Sequence, residues 1–401
     1  MRYHAAAFLQ TFDRVNGLIS VAVLKHQKTE TIAVVKERFK QEEKDALIKL
    51  LLERGCREEA EGFSVPPGIC VEISFKTVKN GKLHEPRFER LLFTHDWHAC
   101  TWVHLLLAQY EPVQLTNAQK EIWPCHSVTK ERYMEYLLAV KDRMLPFLSG
   151  RLLTVKRYPE GVGASGFYQK AAPEHAPAFV QKVIVEDDSH IICGNAQTLL
   201  WLGNQAAIEF HIPFNTVDSL YPCEIVFDLD PPALGDLTLA IKAALEMKRL
   251  FDNFNLLSFV KLSGRKGIQV HLPLNDGILT YSETRIFTEF IASYLVEQFP
   301  EQFTVERLKK NRRGRLYVDY IQHDVKKTII CPYSPRETEE PGIAVPLYWE
   351  EVRQGMKTGD YLLEEVQKRV IRGIDPFAEY FTVNQGVQIK ELIEVLQSTS
   401  S

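Results

Sequence analysis

The chain has 401 residues, a formal net charge of −4, 45% hydrophobic and 25% charged residues. That is too long for one comfortable core and ordinary for a globular protein, so two domains are expected, and the balance argues against nucleic-acid binding by bulk charge while leaving a local basic face open. Seven scattered cysteines (Cys56, Cys70, Cys100, Cys125, Cys193, Cys223, Cys331) without a C-x-x-C pair speak against zinc, iron–sulfur and disulfide frameworks and suit a reducing cytoplasm, and no signal pattern or membrane-length apolar run occurs.

The first hundred residues are rich in strand signals. Leu18–Leu24 and Thr31–Val35 are β-rich. Residues 41–54 switch to helical spacing, with Leu47, Ile48, Leu50, Leu51 and Leu52 in one band and Gly55 as a stop. Ile69–Phe75 is again strand-like, and Asn80-Gly81 predicts a tight hairpin before Leu83–Phe93. Short strands plus one helix predict a small β-barrel of OB-fold type over residues 1–105, with a linker over 103–114. The segment Leu83–Phe93, with its proline, aromatic and basic residues, resembles the last motif of the OB domain of ATP-dependent DNA ligases, a likeness over roughly residues 15–102. Those ligases charge a lysine in K-x-D-G, and no such motif occurs in this chain. The resemblance therefore implies either part of a longer ligase or a DNA-binding or structural module, and no ligase activity from these residues.

A second domain is expected over 112–382, followed by a helical tail over 383–401. Its opening is Leu115-Thr116-Asn117-Ala118-Gln119-Lys120. Helical spacing runs over 129–148 with Thr129 as N-cap. The strand Leu152–Arg157, a glycine-rich turn and the aromatic–basic strand Phe167-Tyr168-Gln169-Lys170 follow. A helix over 196–209 leads to His211, then to the stretch Pro222–Pro232, a short apolar strand that ends in Asp228 and Asp230 and is stopped by Pro231-Pro232. Helices are predicted at 234–252, 282–299, 358–373 and 388–397, and strands at Ser258–Lys261, Ile268–Pro273 and Leu316–Tyr320. Interleaved strands and helices indicate a mixed α+β domain.

The chemistry concentrates at Asp228 and Asp230. Side chains alternate along a strand, so the two carboxylates share a face. Carboxylates so placed repel unless a cation lies between them, and hard oxygen ligands without cysteine favour Mg²⁺ or Mn²⁺. The loop Ser263-Gly264-Arg265-Lys266-Gly267 can offer backbone N–H groups, a hydroxyl and cations to phosphate oxygens. The basic run of Arg307, Lys309, Lys310, Arg312, Arg313 and Arg315 leads into a strand carrying Asp319. Taken singly, Asp319 reads as a salt-bridged strand residue, His211 as a satisfied core histidine and the basic run as a solvated face. Their joint order is what points to one site.

That order, over residues 115–352, closely resembles the polymerase domain of bacterial DNA ligase D, in the archaeo-eukaryotic primase superfamily, which acts in nonhomologous end joining. The resemblance implies a primase-polymerase fold and a template-directed nucleotidyltransferase that fills gaps and extends 3′ ends with two Mn²⁺ or Mg²⁺ ions and a nucleoside triphosphate. It implies Asp228, Asp230 and Asp319 as catalytic metal ligands. It implies His211, Ser263, Lys266 and Arg336 as nucleotide-binding residues. It implies Phe167, Tyr168 and Lys170 on the template, Asn117, Lys120 and Lys130 on a gap's 5′-phosphate, and Arg312 at the DNA terminus. DNA ends, the end-binding protein Ku and a ligase adenylation domain are the implied partners, in a bacterial, nucleoid-associated cytoplasmic setting without membrane. Gln269 departs from the family's usual histidine, with His271 two residues on. A primase that starts chains unprimed predicts product on bare single strands. A non-catalytic DNA-end scaffold predicts no incorporation with any metal.

Overall fold

The computed structural model describes residues 1–185, 187–233, 236–275 and 277–399, and it divides into two units, Met1–Thr116 and Asn117–Ser401. The first unit is built on one long strand, β1 (Tyr3–Asp13). Along one edge β1 pairs with β2 (Leu18–Lys25), which pairs in turn with β3 (Lys28–Lys36). Helix α1 (Gln41–Glu53) follows and buries Leu47 and Leu51. The short strands β4 (Arg57–Glu59) and β5 (Gly62–Ser64) come next. The other edge of β1 is shared, its C-terminal half with β5 and its N-terminal half with β6 (Cys70–Phe75). A Cβ at Gly62 would stand 1.9 Å from the Phe12 carbonyl oxygen, so only glycine allows that approach. The Asn80-Gly81 hairpin forms as expected between β7 (Thr77–Lys79) and β8 (Lys82–His84), both turn residues at positive φ. β9 (Arg87–Leu92) completes the sheet beside β6.

The linker expected over 103–114 is helical through residue 110 and lacks helix or strand only over 111–114. Thr101 accepts a hydrogen bond from the His104 N–H and starts helix α2 (Trp102–Leu107), whose Trp102 and Leu105 enter the core of the first unit with Leu9, Val21 and Phe75. A single six-residue helix is too short to show its period in sequence, which is why it read as connecting chain.

In the second unit a small ladder of β10 (Glu121–Trp123) and β11 (Val128–Thr129) leads into α3 (Lys130–Leu148), capped by Thr129. Strands β12 (Thr154–Arg157) and β13 (Phe167–Gln169) follow. A separate hairpin pairs β14 (Gln181–Val185) with β15 (Asp188–Ile192). Helix α4 (Ala196–Asn204) ends five residues before the expected 209, because Ala206 turns at φ 57° and the chain re-emerges as β16 (Ala207–Pro213). Next come β17 (Glu224–Asp230) and α5 (Thr238–Asn253). The expected helix start at 234 falls on residues 234 and 235, which lie outside the described residues. Then follow β18 (Phe259–Leu262), β19 (Ile268–Pro273), α6 (Tyr281–Gln298), β20 (Phe303–Thr304), β21 (Leu316–Asp319), β22 (Thr328–Ile330) and β23 (Pro346–Leu347). Helices α7 (Leu363–Ile371) and α8 (Gly386–Thr399) close the unit.

Two sheets result, β13-β12-β16-β22 and β20-β21-β17-β19-β18-β23. Phe227 on β17 meets Phe251 of α5 at 5.9 Å, and Phe251 meets Phe287 of α6 at 6.4 Å. Helices thus cover the face of the larger sheet that carries Phe227. Asp228 and Asp230 lie on the opposite face by strand alternation. The C-terminal segment is not a loose tail: Ile389 and Ile393 are buried, and the Gln385 amide exchanges hydrogen bonds with the Leu257 backbone.

Candidate active site

Asp228 stands directly opposite Asp319 across the antiparallel β17–β21 ladder, with Asp230 opposite Tyr317. Directly opposed residues share a face, so two strands place three carboxylates on the same face of the sheet. Burial and the charge of Asp230 push the Asp228 carboxyl up to about 7, against the Gln269 hydrogen bond. Asp319 is raised too, chiefly by burial, although the Tyr317 hydroxyl donates to it at 3.1 Å and the Gln322 N–H at 2.9 Å.

A basic rim adjoins the carboxylates. Lys266 Nζ lies 3.1 Å from Asp230 Oδ1. Its loop is closed by the Gly267 N–H donating to Ser263 Oγ at 3.0 Å and the Ser263 N–H donating to the Gly267 carbonyl at 2.8 Å. Gly264 turns at φ 75°, and a Cβ there would stand 2.6 Å from the Ile343 carbonyl carbon. From the smaller sheet comes β16 with His211, whose Nε2 is 2.9 Å from Glu209 Oε2. The other oxygen of Glu209 lies 2.9 Å from Arg336 Nε. Burial opposes ionisation of Glu209, but the His211 hydrogen bond and the Arg336 charge hold it at about 2. Glu209 thus contacts two expected nucleotide-binding side chains at once. Its period-two spacing from His211 in an apolar strand was the available sequence signal, and it was missed.

The expected template residues separate. Tyr168 pairs with Lys156 across β13–β12 and its ring is 6.1 Å from that of His211, on the His211 side of the strand. Phe167, its neighbour on the strand, points to the other side, with the Arg157 guanidinium 5.3 Å from its ring. Lys170 is exposed one residue beyond β13. Asn117 sits at φ 50° and accepts from the Lys120 N–H at 3.0 Å, and the Lys130 N–H donates to the Lys120 carbonyl at 2.8 Å. The Lys120 ammonium lies 2.8 Å from Glu160. Lys130 is turned inward, its Nζ donating to the Asn204 carbonyl at 3.0 Å, and burial followed by the Lys120 charge lowers its pKa. Arg312 stacks 4.0 Å over the Tyr317 ring and donates to the Glu306 carbonyl at 2.9 Å.

The donor set suits a hard divalent cation: three carboxylates, two of them raised by burial, carry charge that the protein alone leaves poorly compensated. Among the described residues no three ligating groups are gathered into a ready cage. Each carboxylate has its own protein donor instead: Gln269 on Asp228 at 3.1 Å, Lys266 on Asp230, Tyr317 on Asp319.

Over residues 129–377 the sequence matches the family described as LigD, primase-polymerase domain. A relative from Bacillus subtilis (strain 168), a bifunctional non-homologous end joining protein LigD, is 40% identical over 392 residues, covering 97% of this chain and 64% of the relative. A multifunctional LigD from Mycolicibacterium smegmatis is 30% identical over 253 residues, 61% of this chain and 33% of that protein. The polymerase domain of Mycobacterium tuberculosis ligase D, solved in complex with DNA, superposes with TM-score 0.62 at 28% identity, covering 68% of this chain and 99% of that one. The chain thus spans about two thirds or less of the curated relatives it matches. With the family match over residues 129–377 and the matching fold, the chain belongs to the LigD primase-polymerase family.

Proposed function

We propose that this protein transfers a nucleoside monophosphate from a triphosphate to a DNA 3′ end under template direction, releasing pyrophosphate, to fill gaps and extend ends in non-homologous end joining. The observation that carries this reading is the direct opposition of Asp228 and Asp319, with Asp230 two residues along. Divalent ions bound there, Mn²⁺ or Mg²⁺, supply charge stabilisation to the attacking and leaving oxygens of an in-line displacement. Asp228 and Asp230 would hold both ions, and Asp319 would hold the one that activates the 3′-hydroxyl. Lys266 exchanges Asp230 for a phosphate oxygen, while Glu209 keeps His211 and Arg336 aimed at the triphosphate beside the Ser263 loop. Tyr168 stacks on the template, with Phe167 and Lys170 on the same exposed edge. Asn117, Lys120 and Lys130 take the 5′-phosphate across a gap, and Arg312 meets the terminus.

The first unit is read as an OB-type barrel. Three strands, a helix and later strands run in the ladder order β3-β2-β1-β6-β9, and Phe39, just after β3, packs at 4.8 Å on Phe88 of β9. Such a module suits DNA contact or support of a ligase adenylation domain, and Ku is the partner expected with end joining at the nucleoid. Among the described residues no helix is long and apolar enough to cross a membrane.

The test is primer extension on a 5′-phosphorylated gap with Mn²⁺. The unmutated protein extends the primer, and Asp228→Ala binds the DNA without extending it. Full extension by Asp228→Ala refutes the cation site. Product on unprimed single strands favours a primase, and no incorporation with any metal favours a scaffold.

A further inference from the structure

Asp228 is one end of a row that crosses three adjacent strands. On β19, Gln269 pairs with Asp228 of β17 on one side and with Lys261 of β18 on the other. Paired residues share a face, so Lys261, Gln269 and Asp228 lie side by side on the carboxylate face of the sheet. They are joined throughout: Lys261 Nζ donates to Gln269 Oε1, and Gln269 Nε2 donates to Asp228 Oδ1 at 3.1 Å. Lys261 is 0% exposed and Gln269 3%.

An amide has an acceptor end and a donor end, and this one is sandwiched between an ammonium and a carboxylate. Turning it over would set N–H groups against the ammonium and the carbonyl oxygen against the carboxylate. Two charge-assisted hydrogen bonds would be lost where no water can replace them. Lys261 therefore dictates which end of Gln269 meets Asp228. The Lys261 amino group, whose pKa burial lowers to about 7, is engaged by the amide instead of pairing with Asp228 directly. Asp228 receives a neutral donor that fixes one oxygen and leaves its negative charge available. A lysine placed directly on Asp228 would compete with a bound cation for that charge.

We propose that Lys261 is a positioning residue that, through Gln269, sets the Asp228 carboxylate for divalent-cation binding. This rests on the reading of Asp228 as a cation ligand. A lysine that merely fills the core would matter for folding and leave cation affinity alone, so the two roles separate by measurement.

The experiment titrates the full chain, without DNA or nucleotide, with Mn²⁺, reading free ion by electron paramagnetic resonance and recording thermal unfolding of every variant. Asp228→Ala is the reference and abolishes binding. Lys261→Met and Gln269→Leu each weaken Mn²⁺ binding about tenfold, in the range found when groups behind a metal ligand are removed. The double variant binds no more weakly than either single one, because the two residues act in series. Affinity within twofold of the unmutated protein in Lys261→Met, with Asp228→Ala still abolishing binding, overturns the relay alone. Mn²⁺ binding that survives Asp228→Ala overturns the cation site beneath it, and the relay with it. Should Lys261→Met not fold, Gln269→Asn carries the test: its amide is one methylene too short to span both partners, so unchanged affinity there overturns the proposal.

Discussion

Asp228 and Asp319 face each other across the β17–β21 ladder, a directly opposed pair of like charges in a sheet. Such a pair is unfavourable by itself. Nothing in the pairing of β17 with β21 requires acids at both positions, since Leu229 faces Val318 in the same ladder without strain of this kind. The arrangement makes physical sense as a site completed by positive charge.

That view sets a sign for stability against pH in metal-free protein. The Asp228 carboxyl rises from its ordinary 3.8 to about 7 on folding. A raised carboxylate favours the folded state below the unfolded value and loses that contribution as pH climbs through the folded one. Asp228→Asn, neutral at every pH, should match the unmutated protein's Tm near pH 4 and exceed it by several degrees at pH 8. Added Mn²⁺ should close the gap by raising only the unmutated protein. Equal melting temperatures at pH 8 without metal would contradict the assignment.

Tyr168 and Phe167 are adjacent and exposed, at 61% and 48%, yet they project to opposite sides of β13. Only Tyr168 shares its side with Lys156 and His211. Tyr168→Ala should weaken binding of a template overhang by roughly 1–3 kcal/mol, the usual worth of one base stacked on a ring. Phe167→Ala should weaken it less. Fluorescence anisotropy with a labelled overhang decides, and equal losses would mean that both rings engage the template.

The aspartate pair was legible because two ordinary rules coincide there: strand alternation places Asp228 and Asp230 together, and Pro231-Pro232 ends the strand. Whether Asp319 joins them depends on register between strands ninety residues apart in sequence, which no local pattern encodes. Glu209 and Lys261 were passed over for the same reason, and Gln269 was singled out only as standing where the family usually has histidine. A polar residue in an apolar strand is ambiguous until its cross-strand neighbour is known. Lys130 was named through the family resemblance, but its side chain is drawn inward by the Asn204 carbonyl. The Trp102–Leu107 helix failed for lack of length.

On the same face as the carboxylates, at the other end of β17, Glu224 is buried with Arg151, His271 and Tyr380. Arg151 approaches one of its oxygens at 2.5 Å, His271 Nδ1 lies 2.9 Å from the other, and the Tyr380 hydroxyl donates to it as well. Burial opposes the charge of Glu224, but Arg151 beside it holds the carboxyl well below the usual range. Removing one member strands a buried guanidinium. Glu224→Gln should lower unfolding stability by about 3–5 kcal/mol, read as a shifted urea midpoint. A loss under about 1 kcal/mol would show that the cluster relaxes and readmits water.

Lys120 is the member of the Asn117–Lys130 group best placed to meet an anion. It is partly exposed, and its present partner Glu160 is an exposed carboxylate at 2.8 Å. Exposed pairs of this kind contribute about 1 kcal/mol or less, so a phosphate can displace Glu160 with little loss. Lys130, its Nζ turned inward onto the Asn204 carbonyl, opens α3, whose N-terminus carries the positive end of the helix dipole. Lys120→Ala should therefore bind gapped DNA with and without a 5′-phosphate equally, while the unmutated protein prefers the phosphorylated gap. Glu160→Gln, which frees Lys120, should widen the preference. A preference that persists in Lys120→Ala would move the phosphate contact elsewhere on the unit.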